Sequence, residues 1–401
     1  MGLVVGGIGV GTFPLAVSVV CACGPGQSVA GSAGSGAEGG SFEDSGAADD
    51  PGGAGSCNPV GDDEPASVLV AFDTDGSTAL WIDTTTGVEL TRLQRPSIGA
   101  GAAPTAVLPG GAAMLGGIEL EMLPAPSCGV DGSPSSGTET CGDWTVSEPA
   151  GSFIVLATRS RALGCLSDTI WGIRTADGIS PSDSRDSQVV QISTLDGHTE
   201  EVASIAGTQW AIASDDHGDL WAVEYDGPLY RVRAQDLSVS QWDVPWSAEV
   251  SNWQGITVDE RGFVYACSDA LARFDPGTEQ WDSRWVLPKE EAGGATNCLA
   301  DPFRDVIWMV TDIPGSDANG FAAYDPDTLE RVSDWFTLGQ VRDVSLDSSG
   351  RLWASTGGVI YAVEPLQWEV VHVITAEELG LDRLVAVHDA TGLVSASAGA
   401  R

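Results

Sequence analysis

Apolar positions along this chain fall in short β-type runs broken by Gly, Asp and Pro, with few long runs at helical spacing. That pattern predicts strands joined by tight turns. The stretch Leu346–Pro365, LDSSGRLWASTGGVIYAVEP, holds the whole grammar. An apolar residue precedes Asp347, Gly350 follows three places later, a strand carries Trp353, and a Ser-Thr-Gly-Gly turn leads into the next strand. Asp tightens such hairpins by side-chain bonds to the backbone, and Gly supplies positive φ.

The same offsets recur as Asp215, Gly218 and Trp221, and as Asp259, Gly262 and Tyr265. Asp301 and Trp308 repeat it with one extra residue and no Gly, and Asp168 and Trp171 with a shortened turn. Asp389 and Gly392 form a last copy in which Ser395 takes the aromatic place. From Trp171 the aromatic positions are spaced by 50, 44, 43 and 45 residues, then 42 to Ser395. A second turn recurs as IDTTTGVEL, STLDGHTEEV, FDPGTEQW and YDPDTLERV. A period of this length suits a four-stranded unit, so the expectation is an all-β fold, a β-propeller of four-stranded blades. The count gives seven blades, with six and eight as alternatives. Extrapolated backward, the period puts Leu69 and Met114 near the aromatic place of the first two units. The strands from Leu384 to Ala398 are expected to pair with those near Val68–Asp83 and so close the ring. Trp and Tyr at the fixed place read as packing between blades.

The stretch Leu346–Pro365 resembles the repeat of two-component-regulator propellers, and the wider pattern is similar to NHL-like and streptogramin-lyase-like propellers. The resemblance covers residues from about 160 to 398. It implies the architecture, on which sensors, scaffolds and enzymes are all built. Streptogramin lyases use His and Glu with a metal at the propeller mouth, a signature that the four histidines here do not match.

Composition adds the setting. The formal charge of −39 excludes nucleic acid and anionic lipid as partners, and leaves cations, basic partners or plain solubility. Residues 1–23 form an apolar leader without a basic start, and Val20-Cys21-Ala22-Cys23 resembles a bacterial lipobox. That resemblance implies lipid attachment at Cys23; cleavage by ordinary signal peptidase or an uncleaved apolar anchor is the alternative. Residues 24–64, rich in Gly, Ser, Ala and Asp, read as a flexible tether, and 65–401 as the propeller. No later segment is apolar over enough length to span a bilayer. An exported chain would pair its six remaining cysteines, with Cys128–Cys141 and Cys267–Cys298 the leading pairs and Cys57 and Cys165 left over. Zinc is the rival reading of these cysteines, without a CxxC pair after the leader to support it.

Candidate chemistry is sparse. The sequence has no GxSxG elbow, no phosphate-binding GxxxxGK, and a single lysine, Lys289. His198 and His217 fall in expected hairpin turns, and His388 at the end of an inner strand near the channel mouth. Asp73, Asp75 and Asp83, in AFDTDGSTALWID, offer oxygen ligands suited to Ca²⁺, with turn capping as the competing role. Asp215, Asp216 and Asp219 offer a second such group, and Asp177, Asp183 and Asp186 lie in a longer loop of the kind that carries binding. The leading reading is an exported, lipid-anchored, monomeric binding module at the bacterial envelope, taking a protein or glycan ligand. The alternative is a divalent-cation-dependent enzyme of the lyase or lactonase kind. A pyrroloquinoline-quinone propeller is a third reading, resting on the similarity of IDTTTG to its hairpin turn.

Overall fold

A computed structural model describes residues 68–389, leaving aside 74–77, 95–104, 108–112, 116–118, 124–143, 148–151, 159–168, 176–185, 246–254, 286–294 and 313–318. Positions 208, 216, 225–226, 269, 340, 342, 348, 357, 366 and 382–383 are also left aside. The described residues form strands and turns, with no helix among them.

The strands group into seven four-stranded antiparallel sheets among the described residues. Sheet I holds β1 (Val68–Asp73), β2 (Thr78–Asp83) and β3 (Glu89–Gln94). Sheet II holds β4 (Thr105–Val107), β5 (Ala113–Leu115), β6 (Glu119–Leu123) and β7 (Trp144–Ser147). Sheet III holds β8 (Ser152–Thr158), β9 (Thr169–Thr175), β10 (Ser187–Ser193) and β11 (Thr199–Ile205). Sheet IV is β12 (Gln209–Ser214), β13 (Leu220–Glu224), β14 (Leu229–Val232) and β15 (Val239–Trp242). Sheet V is β16 (Gly255–Val258), β17 (Val264–Cys267), β18 (Ala270–Asp275) and β19 (Gln280–Trp285). Sheet VI is β20 (Ala295–Asp301), β21 (Val306–Asp312), β22 (Asn319–Tyr324) and β23 (Phe336–Gly339). Sheet VII is β24 (Asp343–Leu346), β25 (Leu352–Ser355), β26 (Val359–Glu364) and β27 (Glu369–Thr375). The last strand, β28 (Leu384–Asp389), returns to sheet I as its first member and pairs with β1.

The first strands of successive sheets touch one another in chain order, from β4 round to β24, and β28 touches both β24 and β4. The sheets therefore stand in a closed ring, with β28–β1 pairing as the closure. Because β28 fills the first place in sheet I, β1 takes the second, where a hairpin after Asp389 was expected.

Each sheet is covered on both faces by its neighbours, which is why the strands read as near-continuous apolar runs. Trp81, Trp171, Trp221, Tyr265 and Trp353 are fully buried. Trp353 packs with Leu69, Ala71, Leu80 and Ile82 of sheet I, and Tyr265 with Ala300, Ile307 and Ala322 of sheet VI. Burying each such ring contributes on the order of 3 kcal/mol. Leu69 does not take the aromatic place: it faces back toward Trp353 of sheet VII. Val70 and its cross-strand partner Trp81 face forward, toward Leu123 of sheet II. Side chains alternate along a strand, so the frame expected from the period was one residue out.

Candidate functional site

The links between first and second strands, and between third and fourth, all emerge on one side of the ring, here the turn face. Among the described residues of the turn face, the repeated aspartates are spent on the fold. Asp347 Oδ1 accepts the backbone N–H groups of Ser349 (2.9 Å) and Arg351 (3.0 Å), while Oδ2 accepts Trp353 Nε1 (2.9 Å). Asp215 does the same for His217, Asp219 and Trp221, Asp301 for Phe303, Arg304 and Trp308, and Asp259 for Arg261, Phe263 and the Tyr265 hydroxyl. One aspartate thus closes the turn and fixes the ring buried between sheets. Trp171, in the copy with the shortened turn, donates instead to Gly218 O of the next sheet at 3.0 Å.

Arginines then tie three of these turns to their neighbours. Arg304 Nη1 reaches Gly350 O of sheet VII at 2.6 Å, and Arg351 Nη1 reaches Thr84 O of sheet I at 2.7 Å. Arg261 joins Asp259 to Asp327 of sheet VI. Between sheets V and VI a dent of about 10 Å³, room for one water-sized group, is lined by Asp259, Glu260, Asp301, Asp305, Pro302 and Pro326. Burial, then Asp305 and Asp259, pushes the Glu260 carboxyl up.

The expected calcium group does not converge. Asp83 pairs with Val68 and Phe72 with Ala79, so Asp73 and Asp83 stand at opposite ends of the β1–β2 pair, about 17 Å apart at ~3.3 Å per residue. Asp83 Oδ1 accepts the N–H groups of Thr85 (2.8 Å) and Thr86 (2.9 Å), a turn cap. Asp75 lies outside the described residues. Among those described, no three His, Cys, Asp or Glu side chains are arranged to hold a metal ion. Of the second acidic group, Asp219 accepts from Arg231 (2.7 Å) and Ala234 N (2.7 Å), so it and Asp215 are structural; Asp216 lies outside the described residues.

Cys267, closing β17, and Cys298, in β20, form the expected disulfide across sheets V and VI, with Cα atoms 6.2 Å apart. Cys23, Cys57, Cys128, Cys141 and Cys165 lie outside the described residues, as do Asp177, Asp183 and Lys289. His198 and His217 are exposed in turns, and His388 is on the innermost strand β28. His372, not singled out by sequence, lies flat against Trp353 at 6.2 Å between ring centres.

The opposite side of the ring, the loop face, carries the links 95–104, 176–186, 243–254, 286–294 and 313–318. At its seam between sheets III and IV lies a polar cluster that sequence reading missed. Ser187 Oγ donates to Gly207 O at 2.7 Å, and Gln209 Nε2 donates to Ala206 O at 2.8 Å. Gln209 is fully buried, with Oε1 lacking a hydrogen-bond partner. Its ladder partner is Glu224, whose carboxylate lies over Gly207 and Gly227, so that a Cβ at either would displace it. Burial raises the pKa of Tyr230, and Glu224 and Asp186 add to the effect. Gln209 meets Glu224 across the β12–β13 pair, and Ser187 meets Ile205 across the β10–β11 pair, so strand register assembles most of the cluster.

No protein-family model matches the chain, and no curated protein matches it in sequence. Solved structures do match. The dihydro-heme d1 dehydrogenase NirN, in complex with DHE, is 10% identical with a TM-score of 0.51, over 84% of this chain and 78% of that one. U3-55K is 12% identical at 0.53, over 73% and 85%. Apo AztD from Citrobacter koseri is 10% identical at 0.53, over 81% and 98%. The fold is a β-propeller. At these identities the likeness is one of fold alone, so the propeller's function rests on its own surface.

Proposed function

We propose that this propeller is an exported, lipid-anchored module that binds a basic protein partner through its loop face. What supports the binding reading is the contrast between the two faces. Among the described residues, the turn face consists largely of short hairpins whose repeated aspartates are held by their own turns and rings. The loop face carries five links of eight or more residues, against three on the turn face (124–143, 159–168 and 325–335), together with the Gln209–Glu224–Tyr230 cluster; loops held by a rigid scaffold are where binding is built. A net charge of −39 favours a basic partner and fast, salt-sensitive association. The disulfide across sheets V and VI supports an oxidising compartment.

Capture of envelope proteins by the full exported chain tests this, with Asp186→Asn/Glu224→Gln as the loop-face variant and Glu279→Gln as the turn-face control. The proposal expects a captured partner whose yield falls several-fold with the loop-face variant and with added salt, and is unchanged by the control. Equal capture by both variants would sink it. Loss of lipid labelling in Cys23→Ala tests the anchor separately.

A further inference from the structure

The point at which the chain enters the ring says how an anchored propeller would stand. Val68, the first residue of β1, pairs with Asp83, and Leu69 pairs with Asp389 at the end of β28. Asp83 opens the β2–β3 turn, so the chain joins the propeller on the turn face. β28 also ends there, and both ends of the described ring therefore share one side. The loop face lies at the other end of the strands, about 20 Å away for six residues at ~3.3 Å rise.

We infer that the anchored propeller stands on its turn face and offers the loop face away from the membrane, because β1 enters beside the Asp83 turn. The inference rests on the proposed reading of Cys23 as the anchor and residues 24–64 as a tether. As a coil, that tether would have a span of about 35–40 Å. With the turn face down it leads straight to the bilayer. With the loop face down it must run out past the sheet, at ~4.8 Å per strand, and then down the ~20 Å strand height. That path of about 30 Å takes up most of the coil span, which biases orientation several-fold without locking it. The bias leaves the Gln209–Glu224 seam open to a partner beyond the membrane surface, and directs the turn carboxylates toward the bilayer.

The geometry can be read by energy transfer to headgroup-labelled lipid. A fluorescent amino acid replaces either Leu195, exposed in the β10–β11 turn, or Glu377, exposed in the β27–β28 link on the loop face. One sample is the lipid-bearing chain in vesicles. A second carries a hexahistidine tag in place of residues 1–23 and is held on nickel-chelating lipid. Transfer about twofold or more higher from position 195 than from 377 in both samples is expected, given the ~20 Å between faces. Equal or reversed transfer in the nickel-held sample would overturn the orientation itself. A polarised nickel-held sample beside a chain that acquires no lipid would instead remove the anchor, and overturn the inference through its premise.

Discussion

The repeated aspartate is the residue on which this fold turns. Its Oδ1 satisfies turn N–H groups and its Oδ2 holds a buried indole or phenol, so one side chain couples local turn closure to packing between sheets. A buried carboxylate is tolerated when its charge is hydrogen-bonded and paired. Asp259, Asp301 and Asp347 each have an arginine from their own turn within 4 Å, namely Arg261, Arg304 and Arg351. Asp215 has no such partner in its turn: the position of Arg261 is taken by His217, and Arg231 is held by Asp219. Burial accordingly raises the Asp215 pKa, Asp219 adds to it, and the bond from Trp221 opposes it. A carboxyl with a raised folded pKa binds its proton more tightly in the folded state. Its contribution to stability therefore grows as pH falls from above the folded pKa toward the unfolded value near 3.8. Asp215→Asn removes that gain. The stability advantage of the native chain over this variant should widen between pH 7 and about pH 4.5 in calorimetric melts, a window set by the direction of that shift. An advantage that stays constant or narrows would show that Asp215 is ionised and fully compensated in the fold.

Between residues and ring stand the hairpins, and two turn forms account for most of the described turn face. In the Asp-x-x-Gly form, Gly218, Gly262 and Gly350 donate back to the aspartate carbonyl at φ between 76° and 82°. The sheet VI copy is one residue longer, and Asp305 takes the left-handed place at φ 51°. The third-to-fourth-strand turns end in a residue of the same conformation, Gly87 and Gly197 in two sheets but Leu237, Glu279, Leu329 and Trp368 in four others. A non-glycine residue there carries about 1–2 kcal/mol of steric cost. Glu279 is exposed and Leu329 is buried, so the same change should act with opposite sign at the two turns. Glu279→Gly should stabilise by about 0.5–1 kcal/mol once the added chain entropy of glycine is subtracted. Leu329→Gly should destabilise by about 1–2 kcal/mol because the lost burial exceeds the relieved strain. Urea midpoints at fixed slope would read both, and destabilisation at both would show that strain is absent from these turns. These hairpins were legible in sequence because Asp, Gly and Trp act on neighbours within a few residues. The Leu69 frame was not, since the first sheet draws its first strand from the other end of the chain. The arginine bridges were hidden for the same reason: Arg351 meets Thr84 only once the ring has closed.

At the scale of the molecule the acidic surface and the closed ring pull against each other. A charge of −39 makes the compact state repel itself, and the ring must hold without a helix among its described residues. The Gln209–Glu224 pair on the loop face was not read in sequence because strand register, and not nearness in the chain, brings the two together, while the expected calcium trio rested on that nearness alone. Closure depends on β28, which pairs along β1 and touches β24 on one side and β4 on the other. Ending the chain after residue 383 would remove that strand and leave the inner edge of β1 unpaired beside a gap in the ring. An exposed apolar edge of this kind is a template for pairing with other chains. Ending the chain after residue 389 keeps β28 and removes only residues 390–401. The 383 truncation should lose cooperative melting and associate in sedimentation, and a peptide of residues 384–401 added in trans should partly restore the melt. The 389 truncation should melt as the full chain does. Two truncations that behave alike would place closure elsewhere. A sharp difference between them would locate the cooperativity of the whole ring in the six residues from Leu384 to Asp389.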